Sequence, residues 1–90
     1  MLSPAERKEL KARAHKLDPV VVIGSKGLTD EVVKEIDLAL KAHELIKVRA
    51  PDLERDEREP ILNEIVFRTQ AEAVQIIGKI FVIFRKKVDE

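Results

Sequence analysis

The chain has 90 residues, enough for one domain, spanning 1–90, with a modest core and marginal stability. It has an ordinary apolar fraction of 44 %, no cysteine, and 17 Lys/Arg balanced by 17 Asp/Glu. Disulfides and thiolate metal sites are thereby excluded, and no apolar run approaches the roughly 20 residues of a membrane helix. Met1-Leu2-Ser3-Pro4-Ala5-Glu6 lacks a signal-peptide pattern, so a cytoplasmic protein is expected. The zero net charge conceals a pattern. Residues 1–28 carry six cations against three acids, 29–51 four against five, 52–64 two against six and 65–90 five against three. A polyanion responds to the local face and not to the sum.

Ser3-Pro4-Ala5-Glu6 predicts a helix start, with a serine cap, proline at the first helical position and a glutamate completing a capping box. The helix should run to about Lys16. Its apolar stripe is narrow (Ala5, Leu10, Ala14, then Leu17), and Arg7, Lys8, Lys11, Arg13 and Lys16 occupy most of the rest. Asp18-Pro19 breaks it. The β-branched run Val20-Val21-Val22-Ile23 predicts a strand buried on both faces. Gly24-Ser25-Lys26-Gly27 ends that strand. Thr29 then caps a second helix with Asp30 and Glu31 in its first turn and an apolar stripe of Val32, Val33, Ile36, Ala39, Leu40 and His43.

Ile46, Val48 and Ala50 alternate with Lys47 and Arg49, which predicts a half-buried strand over about 45–50, closed by Pro51. The acidic residues 52–59 should lead into a third helix whose start is set by Pro60, because proline is tolerated only in the first turn. Ile61, Leu62, Ile65, Val66 and Ala71 supply its buried face. Residues 73–77 and 80–85 read as two strands joined by Gly78-Lys79, a two-residue hairpin connection. The order α-β-α-β-α-β-β places the chain in the α/β class, with crossover units and a final antiparallel pair.

A strand, a glycine turn and a helix N-terminus together make an anion site. Glycines let the backbone approach a phosphate closely, and the helix start adds free donors and a partial positive charge. Lys26 places a point charge at the tip. Neither the mononucleotide P-loop pattern nor Gly-x-Gly-x-x-Gly is present, so a backbone phosphate is the expected ligand. KH domains clamp nucleotides with a G-x-x-G loop, but there the loop joins two helices, whereas here a β-branched strand precedes it. Phe67, Phe81 and Phe84 are the only aromatic residues, and their pattern assigns all three to the core. Stacking on splayed bases is therefore not expected. His15 and His43 have no metal-ligand neighbour, residues 52–59 read as a solvated acidic segment, and Ser25 has no evident general base. No catalytic residue, metal or cofactor is expected.

Three segments carry a family resemblance: residues 14–29, centred on Val22-Ile23-Gly24-Ser25-Lys26-Gly27-Leu28-Thr29; His43-Glu44-Leu45-Ile46-Lys47-Val48; and Ala73-Val74-Gln75-Ile76-Ile77-Gly78 running into Phe84-Arg85. In this order they resemble the bacterial YhbY proteins, the stand-alone form of the CRM domain (chloroplast RNA splicing and ribosome maturation). The resemblance implies a four-stranded mixed sheet packed with three helices, similar to the C-terminal domain of bacterial initiation factor three. It also implies RNA binding, with large-subunit ribosomal RNA precursors as the partner and no membrane or small-molecule substrate. On the matching positions and the adjoining basic helix, the expected RNA-binding residues are Gly24, Ser25, Lys26, Gly27, Arg7, Lys8, Lys11, Arg13, Lys16 and Arg85, in a monomer. Asp18 departs from the family pattern by its charge, and Pro60 stands where relatives continue the third helix. The alternative from the residues alone is a protein–protein adaptor that docks an acidic partner through the basic loop.

Overall fold

The computed structural model describes residues 2–87; the rest of the predicted domain, residues 1 and 88–90, lies outside the described residues. Seven elements follow the predicted order: α1 (Pro4–Ala14), β1 (Val21–Val22), α2 (Asp30–His43), β2 (Leu45–Arg49), α3 (Arg55–Thr69), β3 (Glu72–Ile77) and β4 (Ile80–Phe84). The start of α1 is built as its cap dictates. The Glu6 amide donates to Ser3 Oγ and the Ser3 amide to Glu6 Oε1, both at 3.1 Å.

The strands form one mixed sheet in the order β1-β2-β4-β3. β1 and β2 are parallel, as the intervening helix requires, and β4 lies antiparallel to both β2 and β3. The β3–β4 hairpin turns on Gly78, whose φ of +56° suits the first central position of a two-residue hairpin turn. β3 begins one residue earlier than predicted and carries a bulge between Ala73 and Gln75, while β4 stops at Phe84.

Two cores lie on opposite faces of this sheet. On one face, Ile36 and Leu40 of α2 and Leu62 and Ile65 of α3 meet Val21, Ile46, Val48, Phe81 and Ile83. On the other, Leu10 and Ala14 of α1 meet Leu45, Val74 and Val82. β4 is covered on both faces, so Phe81, Val82 and Ile83 are all fully buried. Each such side chain contributes roughly 1.5–3 kcal/mol by burial.

Several expectations are corrected. β1 is not buried on both faces. It is the sheet edge, and α1 reaches β2 and β3 without covering it, so Val20 and Val22 are 51 % and 52 % exposed while Val21 and Ile23 are buried. α3 does not start at Pro60. It starts at Arg55, behind Glu54, whose amide donates to the Glu57 carboxylate at 2.9 Å. Much of the acidic stretch is therefore helix, with Asp56 and Glu57 favourably placed at the positive end of the dipole. Pro60 removes one hydrogen bond, to the carbonyl of Asp56, on an exposed side that water can reach.

Phe67 is not in the core but 76 % exposed. It stands two residues from buried Ile65 and two from buried Thr69, which on a 3.6-residue helix is the opposite side. His43 is likewise exposed, at the C-terminus of α2.

Arg85, just beyond β4, ties the helices to the sheet. Its Nη1 donates to Asp37 Oδ1 at 2.6 Å and to the Thr69 carbonyl at 2.8 Å, and its Nη2 donates to the Asp37 carbonyl at 3.1 Å. The hydrogen bond from Arg85 holds the Asp37 carboxyl below its ordinary value of 3.8; partial burial opposes this, and the charges of Arg85 and Lys41 assist it. Because the folded value is the lower one, the stabilisation is complete above pH 3.8 and is lost as pH falls through the folded value. Asp37→Asn should be less stable than the parent at pH 7, by about 1 kcal/mol. Urea unfolding at pH 7, 5 and 3 should show that gap closing only below pH 4. A gap constant across this range would remove the carboxylate as its cause.

Candidate nucleic-acid interface

The turn after β1 forms as its residues direct. The Gly27 amide donates to the Gly24 carbonyl at 3.0 Å, closing a four-residue turn with Ser25 and Lys26 at its centre. Gly27 has φ +77°, a left-handed conformation that favours glycine. Gly24 is different: its φ lies outside that region, and no atom stands within 4 Å of where a Cβ would be. Thr29 Oγ1 then accepts from the Val32 amide at 3.2 Å and caps α2. The amides of Asp30 and Glu31 have no intrahelical acceptor, as at any helix start. Residues 24–27 and the first turn of α2 line one open concavity, with Lys26 exposed at its rim.

The acids in that first turn are partly offset. Arg68, near the end of α3, reaches Asp30 at 2.6 Å. The pair is solvent-exposed and adds little to stability, but it lowers the negative charge facing the turn. Lys26 itself makes no ion pair among the described residues.

α1 distributes its cations by helical geometry. With Leu10 and Ala14 facing the sheet, Arg7, Lys8 and Lys11 fall on one flank and Glu6, Glu9 and Arg13 on the other. The Glu6 carboxyl is lowered first by hydrogen bonds from the Ser3 amide and hydroxyl, with Lys86 adding a smaller effect. Arg13, on the Glu6 flank, lines a cleft with Val20, His43 and Leu45, so this flank looks toward the end of the sheet where β2 begins and β4 ends. The Lys8 and Lys11 flank looks the other way, toward the half of the sheet nearer the glycine turn.

The predicted site residues thus separate into four groups. Gly24, Ser25, Lys26 and Gly27 form the turn. Arg7, Lys8 and Lys11 share the flank of α1 on the half of the sheet nearer that turn. Arg13 and Lys16 line a cleft with Leu17, Asp18, Val20 and His43, at the opposite end of β1. Arg85 stands apart, because its guanidinium is engaged by Asp37 and Thr69 inside the fold.

Cations that sequence reasoning left unassigned join the first two groups. Lys47 and Arg49 alternate with core residues Ile46 and Val48, so they emerge on the α1 side of the sheet. The alternation was legible in the sequence and marks them as off-core. Backbone hydrogen bonds of 2.8 Å from Ile23 to Arg49 and 2.7 Å from Ala50 to Lys79 bring Arg49 and the hairpin tip beside the start of the glycine turn. The opposite layer differs in sign: α2 and α3 carry five Lys/Arg against eight Asp/Glu. A neutral chain is thereby folded into a basic side and an acidic side. Among the described residues no group of three His, Cys, Asp or Glu gathers that could hold a metal ion, and no helix is long and apolar enough to cross a membrane.

The fold has known counterparts. The chain is 46 % identical over 84 residues to an RNA-binding protein of Haemophilus influenzae, covering 93 % of this chain and 85 % of that protein. It is 39 % identical over 85 residues to a probable RNA-binding protein of Pseudomonas aeruginosa, covering 94 % and 82 %. The solution structure of a hypothetical protein from Staphylococcus aureus superposes with a TM-score of 0.87 at 32 % identity, covering 99 % of this chain and 93 % of that one. The family model of the CRS1 / YhbY (CRM) domain matches residues 2–85, from the residue before the Ser3 cap to the Arg85 clamp. With both helical layers, the sheet and the glycine turn inside that match, the chain belongs to the CRS1 / YhbY (CRM) domain family.

Proposed function

We propose that this protein is a non-catalytic, cytoplasmic RNA-binding module that acts as one domain and as a monomer. Its ligand in this reading is a precursor of large-subunit ribosomal RNA, as the resemblance to YhbY proteins implies. The observation that carries the reading is the glycine turn at the start of α2, with unpaired Lys26 at its tip and the Lys8 and Lys11 flank of α1 on the half of the sheet nearer it. The relatives named as RNA-binding proteins add support. The turn offers backbone amides to a phosphate, and the lysines add charge without base selectivity. Aromatic stacking is not part of the mechanism: Phe81 is buried, Phe84 packs against the α1 core, and Phe67 lies on the helical layer away from α1.

Phosphate contacts make affinity depend on salt, with a log–log slope of roughly −0.7 per contact on a single strand. Lys26→Ala should weaken binding to a single-stranded RNA oligonucleotide and make the slope shallower by about 0.7. Absence of binding at low salt would remove the proposal altogether.

The two glycines separate close approach from folding. Gly24→Ala should leave the melting temperature unchanged, since its surroundings are open, yet reduce RNA affinity by setting a methyl group between backbone and phosphate. Gly27→Ala should destabilise by about 1 kcal/mol through its left-handed φ. Thermal unfolding and binding measured on both variants test this, and a Gly24→Ala protein that binds like the parent would refute close approach at that residue. In cell extracts the protein should sediment with precursors of the large subunit in preference to mature subunits; equal distribution between them would count against the assigned RNA.

A further inference from the structure

We infer that the uncovered half of the sheet, between α1 and the glycine turn, is a trough for single-stranded RNA, with Lys47 and Arg49 as its phosphate contacts. This rests on the RNA-binding reading above and assigns it a second surface.

The register defines the trough. On the α1 side, one row of side chains crosses all four strands: Val22, Arg49, Ile80 and Ile77. The next row, toward α1, contains Lys47, Val82 and Gln75. α1 closes over Val82 and Leu45, and its stripe of Leu10 and Ala14 reaches no further. Val22 and Ile77 are consequently exposed, although a strand facing water would ordinarily turn polar residues outward. Ile77 and half-buried Ile80 lie side by side, and Val22 lies beyond Arg49, so the open row alternates aliphatic surface with charge.

Charge selects the partner. Neither row contains a carboxylate, and neither Lys47 nor Arg49 makes an ion pair or side-chain hydrogen bond among the described residues. Half-buried Lys11 stands at the α1 edge of the trough, and Lys26 and Lys79 lie beyond Arg49 at its other edge. A second copy docking by the same face would oppose cation to cation. A polyanion neutralises them all. Lys47 and Arg49 stand two residues apart on one face, about 6.7 Å, the scale of successive phosphates on an extended strand. α1, about 10 Å thick with its side chains, stands as a wall that keeps a duplex off the floor. The aliphatic floor gives contact to sugars and offers no ring for stacking.

The test compares Lys47→Gln/Arg49→Gln with the parent on a 12-residue oligouridylate across salt. The double variant should lose affinity, and its slope should become shallower by roughly 1.4, two contacts' worth. A matched control, Lys34→Gln/Lys41→Gln on the acidic layer, should leave the slope unchanged. On an RNA duplex the sheet variant should bind like the parent. An unchanged slope on oligouridylate, an equal loss in the control, or an equal loss on duplex would each overturn the trough, even where Lys26→Ala still weakens binding. A parent protein that binds no RNA would overturn both readings together. Amide NMR on the parent gives a check independent of mutation: oligouridylate should shift Val22, Arg49 and Ile77, and unmoved signals there would also overturn the trough.

Discussion

β4 lies between β2 and β3 and buries its side chains alternately in two cores. Phe81 and Ile83 face α2 and α3, while Val82 faces α1. Three consecutive fully buried residues on one short strand are possible only at the centre of a sheet with layers on both sides. The parallel pair β1–β2 and the crossover through α3 become one sheet because β4, last in the chain, inserts between β2 and β3. Arg85 then fastens the end of that strand to Asp37 of α2 and to the end of α3. The positions of the glycine turn and of the basic side both follow from this arrangement.

The two layers are unequal, and the inequality creates the surface of interest. α2 and α3 bring broad apolar faces and cover their side of the sheet. α1 brings only Leu10 and Ala14 as fully buried residues, because its other positions are largely charged. A helix with so narrow a stripe cannot cover four strands. It covers Leu45 and Val82 and leaves half-buried Lys47 and exposed Arg49, nearer the glycine turn, uncovered. The charges that narrow its stripe also make its exposed flank basic. Sequence, packing and electrostatics are therefore linked: the composition that limits burial on this side is the composition that suits a polyanion.

Net charge conveys none of this. Seventeen cations and seventeen acids cancel, yet the acids concentrate on α2 and α3, while unpaired cations line the α1 side. Locally the two signs also meet: in the Asp30–Arg68 pair an acid at the mouth of the glycine turn is offset by a guanidinium from the neighbouring helix.

Much was legible from local rules. The order of elements, the Ser3–Glu6 capping box, the Thr29 cap, the Gly78 hairpin and the turn at residues 24–27 all depend on residues close in sequence, where backbone sterics and nearby hydrogen bonds decide the outcome. The family was legible in the segments around the turn and the last two strands. The corrections come from contacts that local pattern does not encode. Val20-Val21-Val22-Ile23 has the composition of a doubly buried strand, but burial depends on whether a helix crosses above it, and α1 stops short. Pro60 halts a helix in isolation, but the cap at Glu54 and the burial of Leu62 and Ile65 outweigh one lost hydrogen bond. Phe67 was readable from helical spacing once Ile65 and Thr69 define the inner face. Arg85 was different, since only the approach of α2 and α3 to the end of β4 supplies its acceptors. The sequence by itself determined the order of helices and strands and the place of the glycine turn, because those depend on short-range geometry. The tertiary structure alone decided which cations share the side of that turn and which face of the sheet stays open, because these depend on how far one narrow helix can reach across four strands.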